Sequence, residues 1–260
     1  MGIGLLVCGV VLLLIGIIAL VNGIPNLRRR RRIIATPTSA IAQAPGTGPV
    51  EVKGRIAASE QGLVVAPFSA RQGVWIRVIV QERRSRGKSS YWATVVNEMD
   101  SRHFFVDDGS GQMARVVPPG ANVILESQAV ANSGTFRDAP PHLEAFLNAR
   151  GLKSTSWLGM NKQMRYEEQI LAPGDNLYAI GQSRRQAGPP VSDGYRMVPG
   201  TQLVMYAAPG AEGELILTNK TEEELVKRLR WGFVGGVICA GLAVLLGVAG
   251  AAIQILDLAD

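Results

Sequence analysis

Residues Val74–Gln81 read VWIRVIVQ and Tyr91–Glu98 read YWATVVNE. In the first, Val74, Ile76, Val78 and Val80 alternate with Trp75, Arg77, Ile79 and Gln81. That period of two is the mark of a strand with one face on a core. The second stretch alternates likewise. Between them lies ERRSRGKSS (Glu82–Ser90), so the pair predicts a hairpin joined by a basic loop.

The same texture extends in both directions. VEVKGRI (Val50–Ile56) and LVV (Leu63–Val65) precede the hairpin, and HFFVDDGSGQMARVV follows it. There Phe104 and Val106 share a face, DDGSG makes a turn, and Met113–Val117 returns. Asp107 and Asp108 are adjacent, and neighbours on a strand point to opposite faces, so they are read as turn formers rather than as an acid/base pair. DAPPHLEAFLNARGL interrupts the strands. It carries Asp138 near its start, prolines in the first turn, Leu143, Phe146 and Leu147 at helical spacing, and Gly151 as a stop. MRYEEQILAPGDNLYAIGQ then reads as strand, turn and strand, and TQLVMYA and GELILTN add two more. The expected fold class is α+β: a β-rich compact domain over 50–220, barrel-like or a folded sheet, with one inserted short helix. Two transmembrane helices are expected to flank it.

Those flanks come from the ends of the chain. Ile3–Val21 and Trp231–Leu256 carry no charge. Each is as long as the roughly 20 apolar residues that cross a bilayer. A cleaved leader would place charge before the apolar run. Here only Met1–Gly2 precede it, and Arg28–Arg32 follow, so the first segment is read as an uncleaved anchor. Basic residues near helix ends stay on the cytoplasmic side. Arg28, Arg29, Arg30, Arg31 and Arg32 after the first segment, and Lys227, Arg228 and Arg230 before the second, bracket the same middle region. The expected topology is two-pass, with the central domain cytoplasmic and both termini outside. Trp231 suits the membrane interface, and the basic residues suit anionic headgroups. The resulting division is 1–27 anchor, 28–49 polybasic segment and linker, 50–220 domain, 221–256 a helix running into the second span, and 257–260 a tail. Thr221 with Glu224 has capping-box spacing. Gly232, Gly236 and Ala240 lie four apart, a spacing that permits homo-oligomer contacts between such helices.

Charge and metal chemistry narrow the function. The net charge of +6 is largely that of the two juxtamembrane clusters. Cys8 and Cys239 are the two cysteines, and His103 and His142 the two histidines. No cysteine-based zinc site or disulfide framework can form in the middle of the chain. No metal or cofactor site is expected, and no catalytic residue is assigned. A hydrolase using Ser154 or Ser156 near His103 lacks the G-x-S-x-G elbow.

In order, PVEVKGRI, ERRSRGKSSYW, FFVDDGSGQMARVVPPGA, LEAFLNARGL, RYEEQILAPGDNLYAIGQ and LILTNKTEEELVKRLRW resemble the GIDE, or "beside a membrane" (BAM), domain from Val50 to Trp231. The resemblance is to the membrane part of mitochondrial E3 ubiquitin ligases and to bacterial proteins. It implies a domain held between two membrane helices. In the ligases a RING follows, and it requires eight Cys/His ligands. Four such residues are spread through this sequence, so ligase activity is not expected to carry over, and a RING-less bacterial inner-membrane protein is the expectation.

Three functions follow. The first is a non-enzymatic scaffold or sensor that binds a protein or ligand beside the bilayer, with Arg83, Arg84, Arg86 and Lys88 as a contact loop for anionic lipid or an acidic partner. The second is the ubiquitin ligase of the family name. The third is an oligonucleotide-binding (OB)-like nucleic-acid binder stacking bases on Tyr91, Trp92 and Phe105. The first is preferred, because alternating aromatics in strands usually pack a core.

Overall fold

The computed structural model describes residues 11, 14, 17, 18, 21, 31, 33–134, 138–155, 161–192, 197–210, 213–221, 224 and 241–245. The chain divides into two compact units. Met1–Pro37 with Lys220–Asp260 form one, and Thr38–Asn219 form the other.

In the larger unit the strands in chain order are β1 (Thr47–Ala58), β2 (Val64–Val65), β3 (Gln72–Gly73), β4 (Trp75–Arg86), β5 (Ser89–Ser101), β6 (Phe104–Asp107) and β7 (Met113–Val116). They continue as β8 (Asn122–Ile124), β9 (Gln128–Ser133), β10 (Met164–Leu171), β11 (Asn176–Ser192), β12 (Met197–Tyr206) and β13 (Ile216–Thr218). One helix, α1 (Pro141–Asn148), lies between β9 and β10.

Five strands close on themselves in the order β1-β6-β7-β12-β11, with β11 pairing back to β1. Every contact in this ring is antiparallel except β7 with β12. That is a five-stranded barrel in the strand order of an OB-fold. β13 and β8 extend the sheet from β11. The inward positions are apolar and buried: Val50, Val52 and Ile56 on β1, Phe104 and Val106 on β6, and Leu203 and Met205 on β12. Two glycines make the corners. A Cβ on Gly54 would collide with the Asp107 carbonyl and with Val106, at the point where β1 begins to pair with β6. One on Gly181 would lie 2.6 Å from Leu215 Cδ1, where β11 passes from β13 to β12. Glycine in a strand marks such bends.

The remaining elements build a second layer. A four-stranded antiparallel sheet runs β5-β4-β10-β9. Ile76, Val78, Val80, Met164 and Tyr166 face α1, which buries Leu143 and Leu147 against them. Phe68, from the loop between β2 and β3, meets Phe146 and Tyr166 edge-on at 4.8 and 5.7 Å. Its backbone N–H donates to the buried Glu168 carboxylate at 2.7 Å, which pins that loop over the second core.

Two expectations are revised by this geometry. The basic hairpin loop is a two-residue turn: β4 and β5 pair through Arg86 and Ser89, leaving only Gly87 and Lys88 between them. Gly87 has φ 62°, and a first central glycine is what a tight hairpin turn demands. The domain begins earlier than Val50, at Thr38, and the supposed linker is packed structure. Ile41 is fully buried in the barrel core. Pro140 is the residue before the first turn of the helix, and Pro141 lies in that turn, as the sequence suggests.

A polar clasp holds the segment around Ile41. Its N–H donates to Asp108 Oδ2 at 2.7 Å, and the Ala42 N–H donates to Ser110 Oγ at 3.2 Å. Arg185 Nη2 donates to the carbonyls of Ile41, Ala42 and Ala44 at 3.1–3.4 Å. The DDGSG turn therefore also anchors the chain that enters the barrel. Asp107 Oδ1 accepts the Gly109 N–H within the turn.

In the terminal unit the described helical residues include Val11, Leu14, Ile17, Ile18, Val21, Leu242, Val244 and Leu245, and these side chains are between 47% and 68% exposed. The Glu224 N–H donates to Thr221 Oγ1 at 3.3 Å, the bond a capping residue makes. Among the described residues no helix is long and apolar enough to cross a membrane. Most of Ile3–Val21 and of Trp231–Leu256 lies outside them, as do Arg28, Arg29, Arg30, Arg32, Lys227, Arg228, Arg230, Trp231, Gly232, Gly236 and Ala240.

Burial opposes ionisation of Asp108, but the hydrogen bonds from Ser110 and Ile41 outweigh it and hold the carboxyl below its ordinary value. Its charge therefore stabilises the fold above the unfolded value of 3.8, and that contribution disappears as pH falls through the lower folded value. Asp108→Asn should cost about 1–3 kcal/mol near neutrality, as for a hydrogen bond to a charged group. The difference from the parent should shrink as the solution is acidified below that point. Urea titrations across pH would check this, and a deficit that grows with acid would refute the clasp.

Candidate functional site

The register of the four-stranded sheet sorts its side chains into two faces, because directly opposed residues point the same way. Val80 pairs with Tyr166 and Val78 with Glu168, on the face toward α1. Gln81 pairs with Arg165, Ile79 with Glu167, Arg83 with Trp92 and Arg77 with Met99, on the opposite face. Arg77, Arg83, Arg165 and Trp92 therefore share one surface, together with the 65% exposed Met99.

Neutral groups hold these three arginines. Arg77 Nε donates to Asn97 Oδ1 at 2.8 Å. Arg83 donates from Nε and Nη2 to Ser90 Oγ, at 3.0 and 2.9 Å, and from Nη1 to Gln163 Oε1 at 2.9 Å. The Arg165 guanidinium lies 3.9 Å from the Trp92 ring centroid, a cation–π contact. None has an ion-pair partner among the described residues, and Glu167 is the carboxylate on this face. Arginines elsewhere behave differently. Arg84 pairs with Glu82 at 3.0 Å and Arg102 with Asp100 at 2.7 Å. Arg150 grips Glu98 through two bonds of 2.7 and 2.6 Å while stacking on Phe146 at 3.5 Å. The hydrogen bond from Arg150 holds the Glu98 carboxyl below its ordinary value.

The predicted contact residues thus separate. Arg83 belongs to the uncompensated face, Arg84 is neutralised by Glu82, and Arg86 and Lys88 sit exposed at the turn without an ion pair among the described residues. Sequence reading missed Arg77 and Arg165. The available signal was their parity: each occupies the outward position of an alternating strand, but only the pairing of β4 with β10 puts them side by side.

Possible chemical groups elsewhere are committed to structure. Glu51 is 1% exposed, and its carboxylate accepts from Thr38 Oγ1 and, at 2.6 Å, from Tyr178 OH, with Lys53 Nζ 3.4 Å away. Ser154 donates to Glu144 at 3.0 Å, whereas His103 Nδ1 lies 2.7 Å from Arg115 Nη2. Burial, then the Arg115 charge, push the His103 imidazole below its ordinary pKa, and an arginine has only donors, so Nδ1 is the acceptor and the ring is neutral. Serine and histidine therefore have different partners. Ser156 lies outside the described residues. Among the described residues no group of three or more His, Cys, Asp or Glu is placed to hold a metal ion. The three aromatics expected to stack bases are dispersed as well. Phe105 is on the outer wall of the barrel, opposite Arg115, while Tyr91 and Trp92 are on the β4–β5 arm, where Arg165 covers Trp92.

Replacing Arg77, Arg83 and Arg165 together by glutamine should leave stability within about 1 kcal/mol, since exposed polar contacts of this kind contribute little. Arg150→Gln should cost comparably on its own, because it removes a bidentate pair and a ring contact together. Thermal and urea unfolding of the two variants would test the contrast. A triple variant that unfolds the sheet would show that these arginines are structural.

Residues 77–193 fit the model of the GIDE family, described as E3 ubiquitin ligase. No curated protein and no solved structure matches the chain. The matched segment starts inside β4 and ends just past β11, so it holds most of the four-stranded sheet, α1 and the face bearing the three arginines. From within β4 to the end of β11, this chain is thus similar to the GIDE family.

Proposed function

We propose that this chain is a two-pass membrane protein whose GIDE-bearing β module recognises a partner beside the bilayer and does not itself transform a substrate. The observation that carries the reading is the exposure of the terminal apolar side chains. Leu14, Ile18, Val21, Val244 and Leu245 are helical and 55–68% exposed, in stretches of sequence that contain no charge. Leaving such side chains in water forgoes about 1.5–3 kcal/mol each, and a bilayer removes that penalty. Arg28–Arg32 and the cluster at Lys227, Arg228 and Arg230 support a cytoplasmic placement of the module.

Recognition rather than catalysis is supported by what the polar groups are doing. Glu51, Asp108, Ser154 and His103 are each bound to a partner that holds the fold. The family description raises ubiquitin transfer. A RING would need eight Cys/His ligands, and Cys8, Cys239, His103 and His142 are the ones in this sequence. The nucleic-acid reading retains the strand order of the barrel but not a shared stacking platform.

The chain should resist extraction from membranes by alkaline carbonate, and protease added outside intact cells should leave the central module uncut. Release by carbonate would overturn the membrane reading, and cleavage within residues 38–219 would reverse the orientation. With purified activating and conjugating enzymes no ubiquitin chain should form, and robust chain formation would make the protein an enzyme.

A further inference from the structure

We propose that the sheet face carrying Arg77, Arg83, Arg165 and Trp92 is a docking surface for an anionic phospholipid bilayer, resting on the membrane-side reading above. The argument is charge complementarity. The three guanidiniums are fixed by Asn97, Ser90, Gln163 and the Trp92 ring, so they are ordered without being neutralised. Ordered donors with an unspent charge lose little conformational freedom on meeting an anion. Arg77 and Arg83 are six residues apart on β4, which at about 3.3 Å per residue is a row of roughly 20 Å. Arg165 stands on the neighbouring strand, opposite Gln81, which lies between Arg77 and Arg83 on β4.

An extended, exposed array of this kind fits a lattice of phosphates better than a single small anion, because its charges are spread rather than convergent. Arginine suits phosphate oxygens through its planar fork. The partly exposed Trp92 is a residue of the kind that settles at headgroup level. A single-stranded nucleic acid fits less well, since the Trp92 face on which a base would stack is occupied by Arg165. Each basic residue near an anionic leaflet contributes about fivefold in association.

The test uses the full chain in nanodiscs of phosphatidylcholine alone and of phosphatidylcholine with phosphatidylserine, read by amide hydrogen exchange. Exchange over residues 83–92 should slow several-fold in the phosphatidylserine discs, and high salt should reverse the effect. Arg77→Gln, Arg83→Gln and Arg165→Gln combined should abolish the difference while exchange of the barrel strands stays unchanged. Arg84→Gln with Arg102→Gln, which removes two acid-paired arginines, should retain it. Equal exchange in both discs, or slowing that survives in the triple variant, would overturn the proposal. So would stronger protection by a single-stranded oligonucleotide or by polyglutamate in neutral discs. Carbonate extraction separates the two readings: a chain that stays in the membrane yet ignores phosphatidylserine refutes only the docking surface.

Discussion

The parallel pairing of β7 with β12 is the constraint around which the larger unit is organised. Leu203, Val204 and Met205 lie beside Ala114, Arg115 and Val116, and without that contact the ring of five strands is open. Parallel neighbours cannot be joined by a hairpin, so the chain must leave the barrel after β7 and return from the other end. It uses that excursion to build β8, β9, α1 and β10, and then lays down β11, which pairs with β1 along one edge and with β12 and β13 along the other. The excursion between β1 and β6 supplies β4 and β5. The second sheet is therefore assembled from two insertions into one barrel, and β4 meets β10 across them.

The division of charge follows from the same layout. At the barrel, buried or half-buried carboxylates are used to fasten chain segments: Glu51 takes Thr38 and Tyr178, and Asp108 takes the amide of Ile41. Removing a carboxylate of this kind would leave donors without acceptors, which costs more than the bond itself contributes. Around α1, Glu98 is spent on Arg150. The outer face of the four-stranded sheet retains Glu167 against three arginines. Its positive character is thus a local consequence of where the acids are consumed, and it differs from the net charge of the whole chain, much of which lies in the terminal clusters.

Local pattern carried the individual elements well. Trp75–Gln81 and Tyr91–Glu98 lie in strands as their alternation suggests, with one bulge at Val95, and Leu143 and Leu147 are buried on one side of α1 as their spacing requires. The hairpin turn was overestimated because Arg, Ser, Gly and Lys resemble loop composition, whereas strand pairing continues to Arg86 and Ser89 once Gly87 allows a tight reversal. The segment around Ile41 was misread for a related reason. Its Ala, Thr, Pro and Gly content suggests a linker, and nothing nearby announces that Asp108 and Arg185, far along the chain, will hold it. Barrel closure was equally hidden, since a parallel contact between β7 and β12 leaves no local trace.

The extent of the GIDE match adds a physical point. Residues 77–193 contain β6, β7 and β11 but neither β1 nor β12, the two strands that join them into a ring. On its own that segment would present unpaired edges on β6, β7 and β11, and exposed edges invite association with other chains. Here β1 and β12 come from opposite sides of the matched segment, and β1 is continuous with the stretch clasped by Asp108 and Arg185. The cationic sheet face lies within the matched segment, but the barrel that fixes its insertions draws on residues beyond both ends of it. The compact unit that holds the sheet face is Thr38–Asn219, and it includes strands that the family match does not.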